Sequence, residues 1–354
     1  MIITNGKLND KEDVRKLWDE CFDEDSTEWR DWYFENVYKE SNVIGGKENG
    51  ELAAMVHMNP YDIFMRGSRT SAVAMAGVAT KQKYRKQGFA DKLIKYSLKK
   101  AYEMGYDFSF LYPFNYEFYE KYGYLLSYNK YSYYYKYFND TKTKEMIKTK
   151  QFSEEMFSKI YSRFAAEKNG FVIRDAVYYK KHLKELLCDR NELLCFYIGS
   201  KAGYLSLNID ENKAEELVYE GDIAEAIKSA AAYYERDLTF ENLFDSDNIV
   251  NTKEKHCMAR IISVESIFRK MKLKDCDIKI EINDDIIDEN NGVWHIISRN
   301  EKTEVQKVQD MYDYKIDISL LAPIITGFKL ENEKVSEIQN ALFSTVQPYI
   351  YEVC

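Results

Sequence analysis

The sequence predicts a mixed α/β (α+β) chain of three units, and three observations carry that reading. The chain has 354 residues, more than one ordinary hydrophobic core holds. Apolar residues make up 45% and prolines number only four, so the chain is expected to fold throughout. A helix–helix–strand–turn–strand–strand–helix order over residues 146–255 repeats that of residues 1–145 without strong identity, and a third unit fills 256–354.

In the first unit, residues 8–21 and 28–38 read as helices, the second placing Trp29, Trp32 and Tyr33 among Asp23, Glu24, Asp25 and Glu28. Residues 52–58 and 65–76 read as neighbouring strands. The stretch 72–79 is small, apolar and partly β-branched, as a buried strand requires. A basic glycine turn follows, and then Ala90, Leu93, Ile94, Ser97, Leu98 and Ala101 mark one face of a helix that Gly105 closes. Between strand and helix, N–H groups at residues 87–90 are expected to lack partners, with the positive end of the helix dipole behind them. Arg85 and Lys86 add charge, so the turn is built to hold a pyrophosphate. A short aromatic strand at 106–112 comes next, then a half-buried strand at 128–137, with a solvated or interface strand as the alternative, and a polar boundary at 139–144.

The second unit reads as helices at 152–166 and 176–187, a strand at 193–198, a turn at 201–204, strands at 205–209 and 215–219, and a helix at 222–235. Glu220, Gly221 and Asp222 stand where the first unit has its phosphate turn. Two carboxylates repel a pyrophosphate, so this copy is expected to bind no cofactor. The third unit opens with a strand at 259–264 and a helix at 265–271. Strands at 276–282 and 292–297 pair across the loop 284–291; then come 317–321, a helix with Pro323 near its start, and 336–344. Residues 349–354 are apolar, which predicts a packed end.

Composition narrows the partners. A formal charge of −9 disfavours nucleic acid and favours a cation. Six scattered cysteines predict reduced thiols. His57, His182, His256 and His295 are isolated, without metal-ligand spacing, so no metal site is expected. No apolar run is long enough to cross a bilayer and no basic-then-apolar leader is present, which predicts a cytoplasmic protein with no membrane partner. The basic residues at 142–150 read as a solvated linker.

The spacing Arg85-x-x-Gly88-x-Ala90 resembles the acyl-coenzyme A signature of the GCN5-related N-acetyltransferases (GNAT). Phe118, Tyr119, Gly123 and Tyr124 resemble that family's Phe-Tyr-x-x-x-Gly-Phe/Tyr segment. Two GNAT-like units followed by a sterol-carrier-protein-like unit resemble, over the whole chain, the enhanced-intracellular-survival (Eis) type. Gly203-Tyr204, Glu216-Leu217, Ala259-Arg260-Ile261, residues 289–294 and Pro348-Tyr349 add weaker support. The resemblance implies acetyl-CoA held by Val78, Ala79, Thr80, Arg85, Lys86, Gln87, Gly88, Phe89 and Ala90. It further implies a primary amine of a small cation or a lysine side chain as acceptor, a homo-oligomer (trimer or hexamer), and a C-terminal carboxylate folded back into the first unit's site. Members acting on aminoglycosides carry an acid beside the final residue, where this chain has Val353.

Acetyl transfer needs a proton donor for the departing thiolate, and the resemblance gives Tyr119 that role; a phenol stays protonated at neutral pH. The resemblance makes the carboxylate of Cys354 the expected base, desolvated or acting through water, with a merely packed terminus as the alternative. Asp25, Trp29, Trp32, Tyr33 and Glu352 are expected to bind the amine by charge and cation–π attraction, against the alternative of a solvated acidic helix start. A non-catalytic CoA- or lipid-binding protein is the other functional class left open.

Overall fold

Alternation along the strand Ser68–Thr80 sets the layering of the molecule. Ala72 and Ala74 share one core with Phe268, Ile280 and Leu321 of the C-terminal unit, while Val73 and Met75 share another with Leu93, Ile94 and Leu98 of the helix Phe89–Glu103. The first sheet thus lies between a helix and the third unit. This computed structural model, which describes residues 1–6, 10–140, 143–244 and 252–351, is a mixed α/β fold as the sequence predicts. None of its described helices is long and apolar enough to cross a membrane.

Among the described residues, thirteen strands join in one sheet. From one edge the order is Ile2–Asn5, Val43–Glu48, Glu51–Met65, Ser68–Thr80, Phe108–Leu111, Thr252–Ile261, Leu125–Tyr135, Leu238–Leu243, Lys213–Tyr219, Lys201–Asn208, Asn191–Ile198 and Ile147–Lys148; Phe171–Val172 pairs with Glu51–Met65 off this path. Two pairs in it are parallel. Ser68–Thr80 meets Phe108–Leu111 through the crossover helix Phe89–Glu103, and Lys213–Tyr219 meets Leu238–Leu243 through Ile223–Tyr234. The repeated element order in the sequence corresponds to these two crossovers.

The structure departs from the sequence reading in several places. The strand Thr252–Ile261 inserts between Phe108–Leu111 and Leu125–Tyr135, so residue 255, the expected boundary, lies inside a strand of the first unit's sheet. Leu125–Tyr135, half-buried as the sequence reading favours, is flanked on both sides, by Leu238–Leu243 and Thr252–Ile261. The turn expected at 201–204 falls at Gly199 and Ser200, because Lys201 already pairs with Ile198 and Gly199 supplies the positive φ. Pro323 sits past the middle of the helix Ile318–Thr326. Strands Leu238–Leu243, Lys302–Val308 and Tyr314–Asp317 carry too little apolar alternation to be seen; in Lys302–Val308 only Val305 is buried. The last two join Cys276–Asn283 and Gly292–Arg299 in a four-stranded sheet.

Buried polar groups lock the units together. At the turn Met65 to Ser68, Arg66 donates to the carbonyls of Ile325 and Ser344, each at 2.7 Å, and Asn169 of the second unit donates to Ile325 and Thr326. These bonds satisfy the last carbonyls of the helix Ile318–Thr326. On the inserted strand, Arg260 grips both oxygens of Asp284 at 2.7 and 2.6 Å and donates to the Tyr122 carbonyl. Asp284 also accepts the N–H groups of Ile286 and Ile287. Both side chains are sealed from water, at 1% and 0% exposure, so removing one partner strands a buried charge. Asp284→Ala is expected to destabilise the chain by about 3–5 kcal/mol in urea unfolding, whereas the double change Arg260→Met with Asp284→Leu should recover most of that loss.

Candidate active site

The candidate site opens where two parallel strands part. Ser68–Thr80 and Phe108–Leu111 pair only from Ala72 to Ala74. Beyond that point the first follows Glu51–Met65 and the second follows Thr252–Ile261. A bulge accompanies the parting: Met55 pairs with Ala79 and His57 with Ala76, so Gly77 and Val78 together oppose Val56. Gly77 has φ +53°, and a Cβ there would stand 2.5 Å from the Trp18 ring, so both backbone and packing demand glycine.

On one side of the parting lies a cleft of about 620 Å³ over the glycine turn. Nine of the ten described α-helices have an N-cap side chain accepting from their first turn; the exception is Phe89–Glu103, which starts at Gly88 without one. Its first N–H groups therefore face the cleft with no intrahelical acceptor. Gly88 has φ +77°, and an added Cβ would meet nothing within 4 Å, so open space for a ligand lies over it. Lys86, also at positive φ, has no acidic partner among the described residues; Arg85 is held by the Thr80 carbonyl at 3.1 Å. The residues fit a pyrophosphate. Val78, Ala79, Thr80, Arg85, Lys86, Gly88, Phe89 and Ala90 all line the cleft. Gln87 does not, because its amide turns back to the Lys83 carbonyl at 3.0 Å.

On the other side lies a cavity of about 780 Å³, sharing Phe22, Glu24, Val78 and Phe114 with the cleft. Tyr119 lines it from the short helix Tyr116–Glu120, which Asn115 caps. The ring is only 3% exposed and wedged edge-on against Phe118 and Phe114. Burial raises its phenol above the usual value, which keeps the proton on oxygen throughout the neutral range. Tyr122 and Tyr124 are spent on packing and on bonds to Asp91 and Ser109.

Of the residues expected to bind an amine, Asp25 and Trp29 reach this cavity. Asp25 accepts from the Trp18 indole at 2.8 Å, and burial pushes its carboxyl upward. Trp32 and Tyr33 do not reach it. Tyr33 is fully buried, with its hydroxyl on His57 Nδ1 at 2.8 Å, and Trp32 donates to the Lys181 carbonyl where the second unit packs on the helix Thr27–Asn36. Glu352 and Cys354 lie outside the described residues. Several cavity residues come from distant parts of the chain: Tyr112, Tyr116, Lys130, Asp189, Glu254 and His256. Asp189 belongs to the second unit and adopts a left-handed conformation, φ 58°, with its N–H given to Glu28 at 3.1 Å. No local motif marks these positions; Lys130, Glu254 and His256 arrive through strand pairing, and Tyr112, Tyr116 and Asp189 from a loop, a helix start and a turn.

A second cleft, of about 390 Å³, shares Trp29 and Asp189 with the cavity and reaches Tyr351, the last described residue. The final segment is held there. Gln347–Pro348 pairs with Lys168–Asn169, and Arg174 donates to the Tyr351 carbonyl at 2.9 Å. Arg174 also pairs with Glu216, whose other oxygen meets His182 Nε2 at 2.8 Å; His182 Nδ1 faces Glu185 at 2.8 Å. Burial works against a charged imidazole here, yet Glu216 and Glu185 outweigh it and raise His182 to about 9.

Residues 3–126 match the acetyltransferase (GNAT) domain family, and residues 264–350 match the sterol carrier protein domain family. No curated protein matches in sequence. Several solved structures share the fold along 99% of this chain. Among them are a conserved protein of unknown function from Enterococcus faecalis V583, described as a probable N-acyltransferase (19% identity, 99% of its chain, TM-score 0.84), a GCN5-related N-acetyltransferase from Anabaena variabilis (17%, 98%, 0.81) and Eis1 from Mycobacterium abscessus (16%, 99%, 0.76).

The His182 charge sets a pH dependence for stability. Its folded value lies above the unfolded 6.5, so its stabilisation is complete below pH 6.5 and is lost as pH rises towards 9. Unfolding free energy is expected to fall across that window by on the order of 3 kcal/mol. In His182→Gln, urea unfolding at pH 6, 7.5 and 9 should show that slope flattened; an unchanged slope would place the charge elsewhere.

Proposed function

We propose that the chain, which carries a GNAT acetyltransferase domain over residues 3–126 and a sterol carrier protein domain over 264–350, acetylates a primary amine with acetyl-CoA. The acceptor is a small cationic molecule or a lysine side chain. One observation carries the reading: the uncapped, basic helix start and an aromatic, acidic cavity meet at the parted strands, with Tyr119 on the cavity wall. Bound in the cleft, acetyl-CoA supplies the acetyl thioester.

The chain's residues then divide the work. N–H groups at the start of Phe89–Glu103 hold the pyrophosphate, with Arg85 and Lys86 alongside. Main chain at Gly77 and Val78, freed by the parting, lies where a carbonyl oxygen is to be stabilised. Tyr119 presents a proton to the sulfur side. Glu24, Asp25, Asp189 and Glu254 outnumber Lys130 and Lys255 around the cavity, and Trp29 gives a ring face, so a cation is drawn in.

The second unit takes no cofactor in this account. There Asp222 caps the helix Ile223–Tyr234 with its own carboxylate, and Glu220 is tied to Arg163 and to the Ala202 N–H, so the equivalent anion site is already filled. Calorimetry is expected to find one acetyl-CoA per chain.

Gly88→Glu should abolish that binding, since it puts a side chain and a negative charge where backbone meets phosphate; unchanged affinity would refute the site. Tyr119→Phe keeps the ring and removes the proton. Turnover on an amine substrate should fall roughly 10²–10⁴-fold with acetyl-CoA affinity unaltered, and turnover within a few-fold of wild type would make Tyr119 a packing residue.

A further inference from the structure

The cleft over the glycine turn and the cavity beside Tyr119 meet at a narrow throat. Among the described residues, only Phe22, Glu24, Val78 and Phe114 line both spaces. Phe22 and Val78 are half-buried, whereas Phe114 is 75% exposed. Apolar side chains scattered over a surface are ordinary. Phe114 differs in its place: of the large apolar residues exposed on the described surface, it alone lines the cleft or the cavity.

Local structure holds it there. Phe114 stands between the strand Phe108–Leu111 and the helix Tyr116–Glu120, with Pro113 before it and Asn115 after it. Proline fixes its own φ, and Asn115 is tied down as the helix cap, accepting the Phe118 N–H at 3.0 Å. The Phe114 ring is tilted against Phe118 at 5.4 Å and stands edge-on to Tyr119 at 5.7 Å, centre to centre. Those two contacts leave most of the side chain in water.

Resting on the acetyl-transfer reading, we infer that Phe114 is the residue on which the pantetheine arm of acetyl-CoA packs, and that it positions the thioester at Tyr119. With the pyrophosphate at the uncapped start of Phe89–Glu103 and the sulfur at Tyr119, the arm has to run from cleft to cavity, and so through the throat. Pantetheine is uncharged, a chain of methylene groups and a dimethyl-substituted carbon joined by amides. Its amides suit the main chain at Val78, while its hydrocarbon needs an apolar wall, and Phe114 offers the most exposed one in the throat. Contact between arm and ring removes apolar surface of both from water. Because the ring stands against Tyr119, whatever settles on it is also placed relative to the phenol that hands over its proton.

The test uses the full chain and two ligands: acetyl-CoA, and adenosine 3′-phosphate 5′-diphosphate, which is coenzyme A without its pantetheine arm. In Phe114→Ala, calorimetry should show acetyl-CoA affinity reduced roughly 10- to 100-fold, the worth of burying most of a phenylalanine, with affinity for the armless nucleotide unaltered. Phe114→Leu, still apolar, should recover most of that loss. With ring-labelled phenylalanine in the wild-type protein, acetyl-CoA should shift the one ¹³C–¹H resonance that Phe114→Leu lacks, and the armless nucleotide should leave it in place. Wild-type acetyl-CoA affinity in Phe114→Ala overturns the inference. So does an equal loss of both ligands, which would make Phe114 a support of the phosphate turn. A Phe114 resonance that moves with spermidine alone, and not with acetyl-CoA, gives the ring to the acceptor amine and also overturns it. Wild-type protein that binds no acetyl-CoA sinks the acetyl-transfer reading itself, which the same titration separates from a loss confined to the variant.

Discussion

Everything at the candidate site depends on two parallel strands letting go of each other after Ala74. A continuous ladder would pair the main chain from Met75 to Val78 with residues 111–114, and no cavity would exist. One constraint accompanies the parting: Gly77 folds into a bulge beneath the Trp18 ring, while the inserted strand Thr252–Ile261 pairs with the opposite edge of Phe108–Leu111 and holds it in the sheet. The same opening brings an uncapped helix start to one side and aromatic and acidic side chains to the other.

That dependence explains why the rest of the chain is needed. The first sheet is completed by a strand that lies after the whole second unit in sequence, so neither unit closes its core alone. Arg260, sealed between Tyr122 and Asp284, fixes the inserted strand to the third unit directly behind the segment holding Tyr119. In the proposed account the second unit contributes position rather than cofactor chemistry. It sets Asp189 at the cavity and, through Arg174 and Asn169, holds the last described residues against a neighbouring cleft. Buried ions of this kind add little net stability but penalise misplacement heavily, which suits a site assembled from remote segments.

What the sequence reveals is what is contiguous. The glycine turn, its strand and its helix occupy thirty-odd neighbouring residues whose spacing states their geometry, and the structure has them in that order. Tyr119 stands out for the same reason. Trp29, Trp32 and Tyr33 fall at i, i+3 and i+4, the spacing of a single buried helix face, and two of the three are indeed core. Acidic neighbours made that stripe look like a binding surface. Asp189 and His256 were illegible because their meaning depends on pairing across more than a hundred residues. An isolated histidine in a polar strand gives no sign that its strand borders a cavity.

A crystal structure of the chain soaked with coenzyme A tests the central claim most directly. The account predicts pyrophosphate oxygens on the N–H groups beginning at Phe89, and the thiol between Val78 and the Tyr119 hydroxyl, facing the cavity that His256 lines. Coenzyme A bound at the second unit's helix Ile223–Tyr234, or seated in the cleft with its sulfur turned away from Tyr119, would contradict it.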